Sequence, residues 1–148
     1  MNNRHSPSPG RWDVDAIRAG ALVSLVVAVP FSIAARIAAD DDNSGLATGL
    51  VLGAIIGFVL GAGCAAWIQR NDTPLSHGMV TAGGTYLAAQ AVFVIVRLVR
   101  SDTVNWFAVL FNLSFVLVAG VIGGILGQRL RASGFTPSGG RTGRSRTE

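Results

Sequence analysis

A glycine stands at every fourth position of one apolar stretch of the chain, at Gly45, Gly49, Gly53, Gly57 and Gly61. In water such a segment is a poor helix, because each interior glycine costs about 1 kcal/mol relative to alanine. In a bilayer the backbone has to satisfy its own hydrogen bonds, so an apolar stretch becomes helical whatever its propensity. The glycines then form a strip without side chains, against which another helix can pack. The pattern predicts a membrane helix with a close packing face.

The composition extends this prediction to most of the chain. Only 14% of the 148 residues are charged, against about 25% in a soluble domain. The deficit falls in four apolar stretches, residues 16–39, 46–68, 78–99 and 104–126. Each is close to the roughly 20 residues that cross a hydrocarbon core, and short connections make neighbouring helices antiparallel. We therefore predict an all-α polytopic membrane domain over residues 14–131, with four transmembrane helices arranged as two antiparallel hairpins that have glycine-rich packing faces.

The two ends of the chain are polar. Residues 1–13 and 132–148 contain too little apolar surface to fold, so we expect disordered tails. The basic C-terminal tail either lies against anionic lipid or stays solvated. The first apolar stretch follows a basic N-terminus, as a cleaved signal peptide does. It is longer than the usual apolar region of such a peptide, and Arg36 interrupts the cleavage site. We therefore interpret it as a membrane helix.

The arginines predict the orientation in the membrane. Three of them, Arg36, Arg97 and Arg100, fall on the face that also carries the run Asp40, Asp41 and Asp42. The opposite face receives the remaining nine, which are Arg4, Arg11, Arg18, Arg70, Arg129, Arg131, Arg141, Arg144 and Arg146. Because cytoplasmic segments carry the excess of basic residues, we predict cytoplasmic termini in a plasma (cell) membrane. The acidic run lacks the spaced ligands of a calcium loop, and pairing with nearby arginines is the alternative to cation binding.

Small residues also mark the other helices. In the first stretch, Gly20 and Ser24 belong to a ribbon whose period matches the glycines of the second, so these two helices are predicted partners. The fourth stretch ends with two overlapping pairs at the spacing of close helix contacts, Gly120, Gly123, Gly124 and Gly127. We expect these glycines to pack against the start of the third helix.

Few side chains inside the predicted spans could bind an ion or take part in a reaction. The spans hold no Asp, Glu, Lys or His, which argues against ion-coupled transport. Cys64 is the sole cysteine, so no disulfide within the chain and no cysteine metal site can form. His5 and His77 are isolated and flank the spans. We predict no enzyme, no cofactor, no metal and no nucleic-acid partner.

Two amides are the polar groups that stand out within the spans. Gln90 and Asn112 fall in the predicted third and fourth helices. If these helices pair antiparallel, the two side chains can form a hydrogen bond across the interface that fixes the register. Contact with a transported substrate is the alternative role.

The layout resembles the small uncharacterised four-helix membrane proteins of Gram-positive bacteria, including the YrzE-like group. The resemblance rests on a short polar N-terminus, two helical hairpins and glycine-rich second and fourth helices, here residues 49–61 and 120–127. It covers about residues 14–131. It implies an integral membrane location and carries over no functional residue.

These features predict an integral membrane protein that acts through helix packing. Its expected partners are the lipid bilayer and a second copy of the chain or another membrane protein. The alternative is a small oligomeric channel or transporter, in which glycine faces not used within one chain form subunit contacts around a pore. An oligomer is needed for this alternative, because four helices alone rarely enclose a path.

Overall fold

The computed structural model describes residues 12–101 and 103–135. Regular structure in this part consists of four helices, α1 (Val14–Asp40), α2 (Ser44–Ile68), α3 (Pro74–Val99) and α4 (Trp106–Ala132). All four are long and apolar enough to cross a membrane. The predicted all-helical chain with four candidate membrane spans is therefore confirmed.

Side-chain caps explain where three of the helices begin. The N-cap residues Asp13, Asn43 and Asn105 each accept a bond from the backbone N–H three residues later, at 3.0–3.2 Å. α3 begins at Pro74 rather than near residue 78, because the fixed φ of proline suits the first helical turn. α4 continues to Ala132 rather than ending near residue 126, and arginines in its last turn complement the helix dipole.

The predicted disordered tails lie largely outside the described residues. Of the first tail, only Trp12 and Asp13 are described, and Asp13 caps α1. Of the second tail, residues 132–135 are described, and Ala132 is the last residue of α4. These residues therefore belong to the helical domain or border it directly.

α2 is the central helix of the bundle. It contacts each of the other three helices. The largest interface of α1 is with α2, and that of α3 is with α4. Within the described part of the chain, no Cα atom of α1 lies within 8 Å of a Cα atom of α4. The space between them is consequently bounded by α2 and α3.

The core occupies one half of the bundle. Buried side chains cluster in residues 54–66 of α2, 77–86 of α3 and 116–127 of α4. These segments lie toward the end at which α1 and α3 begin and α2 and α4 end, which we call the closed end. Toward the opposite end, the open end, the described residues 87–99 of α3 and 106–115 of α4 include no buried one. The α3–α4 pair is thus buried only toward the closed end, whereas α1 also keeps Ala35 and Ala38 buried toward the open end.

Candidate functional site

A cavity, which we call the cleft, lies between the α1–α2 pair and the α3–α4 pair in the open half. Its volume is about 650 Å³, within the roughly 300–1,000 Å³ typical of ligand sites. All four helices line it, mostly with Ala, Val, Leu, Ile and Phe side chains. Phe58, Tyr86 and Val116 are buried core residues that also line it. They mark its boundary with the closed half.

Six polar side chains interrupt the apolar lining, namely Ser24, Ser32, Arg36, Tyr86, Gln90 and Asn112. Arg36 is the only charged group among them. Its Nε lies 3.3 Å from a carboxylate oxygen of Asp40, one helical turn further on, and both side chains are exposed. An exposed pair of this kind contributes little stability. Among the described residues of the lining, Arg36 therefore carries the only charge, and the other five polar side chains are neutral.

Tyr86 joins α3 to α4 beside the cleft. Its hydroxyl donates to the backbone carbonyl of Val109 at 2.8 Å and accepts an N–H of the Gln90 amide at 3.0 Å. The bond expected between Gln90 and Asn112 is replaced by this arrangement, because Gln90 reaches the hydroxyl one turn earlier on its own helix. Asn112 is exposed, lines the cleft and makes no hydrogen bond to the described residues.

Ser24 borders the cleft from the middle of α1. The residue is 0% exposed, and its Oγ has no hydrogen-bond partner among residues 12–101 and 103–135. Leaving a buried hydroxyl unsatisfied costs about 1–3 kcal/mol. The hydroxyl lies against Gly61 of α2, so it belongs to the interface between α1 and α2 rather than to the open space of the cleft.

Three glycines of α2 lie close to α1. A Cβ added to Gly53 would stand 2.6 Å from the ring of Phe31, and one added to Gly57 would stand 2.9 Å from the backbone nitrogen of Ala28. A Cβ at Gly61 would overlap the side chain of Ser24. At these three positions the missing side chain is what lets the two helices approach.

Gly45 and Gly49 were predicted to be packing residues, either against α1 or, because a four-residue period drifts around the helix, against a different neighbour. A Cβ at either position would meet nothing within 4 Å in the described part of the chain. A four-residue step exceeds the 3.6-residue turn, so each glycine is rotated about 40° from the one before it. These two residues have turned away from α1, and the open end offers no other helix to contact them.

The remaining predicted packing residues lie in the closed half. A Cβ at Gly20 would overlap the carbonyl oxygen of Gly61. In α4, a Cβ at Gly123 or Gly127 would overlap backbone carbonyl oxygens of α2, and one at Gly120 or Gly124 would come within 3.1–3.2 Å of α3. The two sets lie on adjoining faces, so α4 contacts α2 and α3 together.

A buried histidine anchors a second polar group at the closed end. His77 is 0% exposed, and its Nε2 accepts the backbone N–H of Asp13 at 3.0 Å. A backbone N–H can only donate, so the ring proton is carried by Nδ1 in the neutral tautomer. Nδ1 lies 2.9 Å from the carbonyl oxygen of Thr73, to which it donates. Both ring nitrogens therefore hold backbone groups, which joins the start of α1 to the start of α3.

The connection between α2 and α3 is held from two sides at this end. The second carboxylate oxygen of Asp13 accepts the backbone N–H of Arg70 at 3.2 Å. From the end of α4, Arg131 donates to the carbonyl oxygen of Gln69 at 3.0 Å and pairs with Asp72 at 3.1 Å. Together with His77, these contacts bind the starts of α1 and α3 and the end of α4 to one short segment.

The polar group around His77 was not predicted from the sequence, because this residue was placed in the connection between two helices. The available signal was Pro74, since a proline favours the first position of a helix. Starting α3 there puts His77 in its first turn, near the bundle interior. Of the cysteine and histidine residues singled out, Cys64 is half-buried in α2, and His5 lies outside the described residues.

The described residues contain no group of three or more His, Cys, Asp or Glu side chains able to hold a metal ion. By the length and composition of its helices, the chain has the form of a multi-pass helical membrane protein. Comparisons with protein-family models, curated proteins and solved structures found no match to it.

Proposed function

We propose that the protein is an integral membrane protein that acts by binding a partner molecule in the cleft, without a reaction of its own. The observation that carries this proposal is the contrast between the two halves. Near the closed end, helices touch through glycines and backbone atoms, whereas the open half holds a cavity of about 650 Å³. A cavity lined by apolar side chains with a few polar groups is the usual form of a ligand site.

The proposed arrangement is two antiparallel hairpins, α1–α2 and α3–α4, joined through glycine-rich faces near the closed end. The short connections between consecutive helices support it, as do the close approaches at Gly61 and Gly123. In this arrangement the closed half is a scaffold that holds the walls of the cleft apart.

The proposed location is the plasma membrane, with both termini and the closed end on the cytoplasmic side. The excess of arginine at the closed end supports this orientation. Green fluorescent protein fused after Glu148 is expected to fluoresce, and alkaline phosphatase at the same position is expected to be inactive. An active phosphatase fusion with a dark fluorescent fusion would overturn the orientation.

Binding in the cleft can be tested by filling it. Ala89 lines the cleft and Ala88, its neighbour on α3, is exposed and lies outside the lining. We expect native mass spectrometry of the protein extracted in mild detergent to show a retained small molecule. Ala89→Phe should remove this adduct, and the matched variant Ala88→Phe should keep it. Equal retention by both variants, or none by the unaltered protein, would overturn the proposal.

The second candidate function is an oligomeric channel or transporter. One observation favours it, because Gly45, Gly49 and Gly84 have open space at their Cβ positions and are free to contact another subunit. Proteoliposome flux separates the two functions. A channel predicts solute or ion flux above that of empty vesicles, and a change in flux on Gln90→Leu. Binding without transport predicts flux equal to that of empty vesicles.

A further inference from the structure

We infer that the occupant of the cleft is a neutral, lipid-soluble molecule that carries an uncharged hydroxyl or carbonyl group. This inference rests on the proposed binding function and specifies the chemistry of the ligand. The cleft lies within helices long and apolar enough to span a bilayer, so a molecule dissolved in the hydrocarbon region can reach it from the side.

The polar groups inside the cleft favour a hydrogen-bonding ligand over a plain hydrocarbon. Asn112 is exposed, lines the cleft, and has both its amide N–H groups and its carbonyl free of bonds to the described residues. Gln90 uses one N–H on Tyr86. In a cavity open to lipid, these groups lose free energy unless a ligand satisfies them.

The charges around the cleft favour a neutral ligand. Arg36 carries the only charge among the described residues of the lining, and it is already paired with Asp40. Asp41 and Asp42 follow directly, and Arg97 and Arg100 at the same end of the bundle balance them. The described charges at this end therefore offer no net attraction to an anionic headgroup. The described residues of the lining offer no second charged side chain, and an ionised ligand drawn into the apolar part would lose its hydration without compensation.

Three ligands with closely similar chains provide the test, namely oleyl alcohol, oleate and octadecene. The full chain is reconstituted in liposomes and labelled with a diazirine derivative of oleyl alcohol, and the cross-linked peptides are mapped by mass spectrometry. We expect labels on residues that line the cleft. Unlabelled oleyl alcohol should displace the probe at a concentration about tenfold lower than octadecene or oleate, the factor expected for a hydrogen bond of ordinary strength.

Variants of the polar lining test the same point. Asn112→Leu is expected to remove the advantage of the alcohol over the hydrocarbon. Ser114→Ala is the matched control, because Ser114 bonds the carbonyl of Leu110 on its own helix and lies outside the lining. Asn112 is exposed, so its replacement leaves the core intact.

The outcomes separate this inference from the proposed function. Equal displacement by all three ligands, or stronger displacement by oleate, would overturn the neutral, hydrogen-bonding ligand and leave the cleft as a binding site. If no label falls on the residues that line the cleft, and Ala89→Phe leaves the labelling unchanged, both the ligand chemistry and the proposed binding function would be overturned.

Discussion

The imidazole of His77 accepts the backbone N–H of Asp13 across an Nε2 to nitrogen distance of 3.0 Å. This bond links the residue that caps α1 to the first turn of α3, which lies more than half the described chain away. The other ring nitrogen is bonded to Thr73, so the ring is fixed at both of its polar atoms. A flanking histidine is thereby part of the packed end of the bundle.

Replacing His77 by alanine is expected to lower the free energy of unfolding by roughly 1–3 kcal/mol, because a buried cavity forms and the N–H of Asp13 loses its partner. The measurement is a denaturation curve in mixed micelles. Thr73→Ser keeps the backbone carbonyl that His77 contacts and is the control. Equal stability of His77→Ala and the unaltered protein would contradict the role given to the ring.

The glycines of α2 give a matched pair of variants on one helix. Gly61→Ala is expected to destabilise the protein by about 1–3 kcal/mol, since the new Cβ would overlap Ser24 and force α1 away. Gly49→Ala should be neutral or slightly stabilising, because its Cβ enters open space and alanine is the better helix former. Thermal unfolding in detergent measures both, and a larger loss at Gly49 than at Gly61 would contradict the structure.

Tyr86→Phe is expected to cost about 0.6–2 kcal/mol, the range for hydrogen bonds between membrane helices. The variant keeps the ring, whose edge-on contact with Phe58 is made at a centroid distance of 6.4 Å. It removes only the hydroxyl that bonds Val109 and Gln90. Ser114→Ala is a control that does not cross between helices. Unchanged thermal stability of Tyr86→Phe would show that the hydroxyl does not hold α3 to α4.

Arg131 is expected to act through its bond to a backbone carbonyl more than through its ion pair. Asp72→Asn should change stability by less than about 1 kcal/mol, because the carboxylate is exposed. Arg131→Ala should cost more, because it also frees the carbonyl oxygen of Gln69. Limited proteolysis of the connection between α2 and α3 reports the local effect, with faster cleavage expected in Arg131→Ala alone.

The features of this structure that depend on neighbouring residues in the sequence could be predicted, and those that depend on contacts between helices could not. The four helices follow from local apolar composition, and they were found. The extent of α3 and α4 depended on Pro74 and on arginines near Ala132, signals that hydropathy does not register. Gln90 and Tyr86 are four residues apart on one helix, so their contact was open to prediction from the sequence. The bond from Tyr86 to Val109 of α4 depended on the rotation of α3, and a sequence pattern does not contain that rotation.

The glycine strip of α2 also shows that a sequence pattern does not determine which helices come into contact. Its period is uniform from Gly45 to Gly61, yet only its later members lie against α1. Whether a glycine meets a neighbour depends on where the other helices run, which is set by contacts far away in the chain. The cleft could not be foreseen for this reason, since it is the space left where packing stops.

The connection between α2 and α3 is bonded by residues that are synthesised at different times, so its contacts form in a fixed order. Asp13 is made early and Arg131 late, and both hold the same short segment. While the ribosome is still making α4, the first three helices have only one of these two attachments. The closed end is therefore completed only after the last helix has left the ribosome and entered the bilayer.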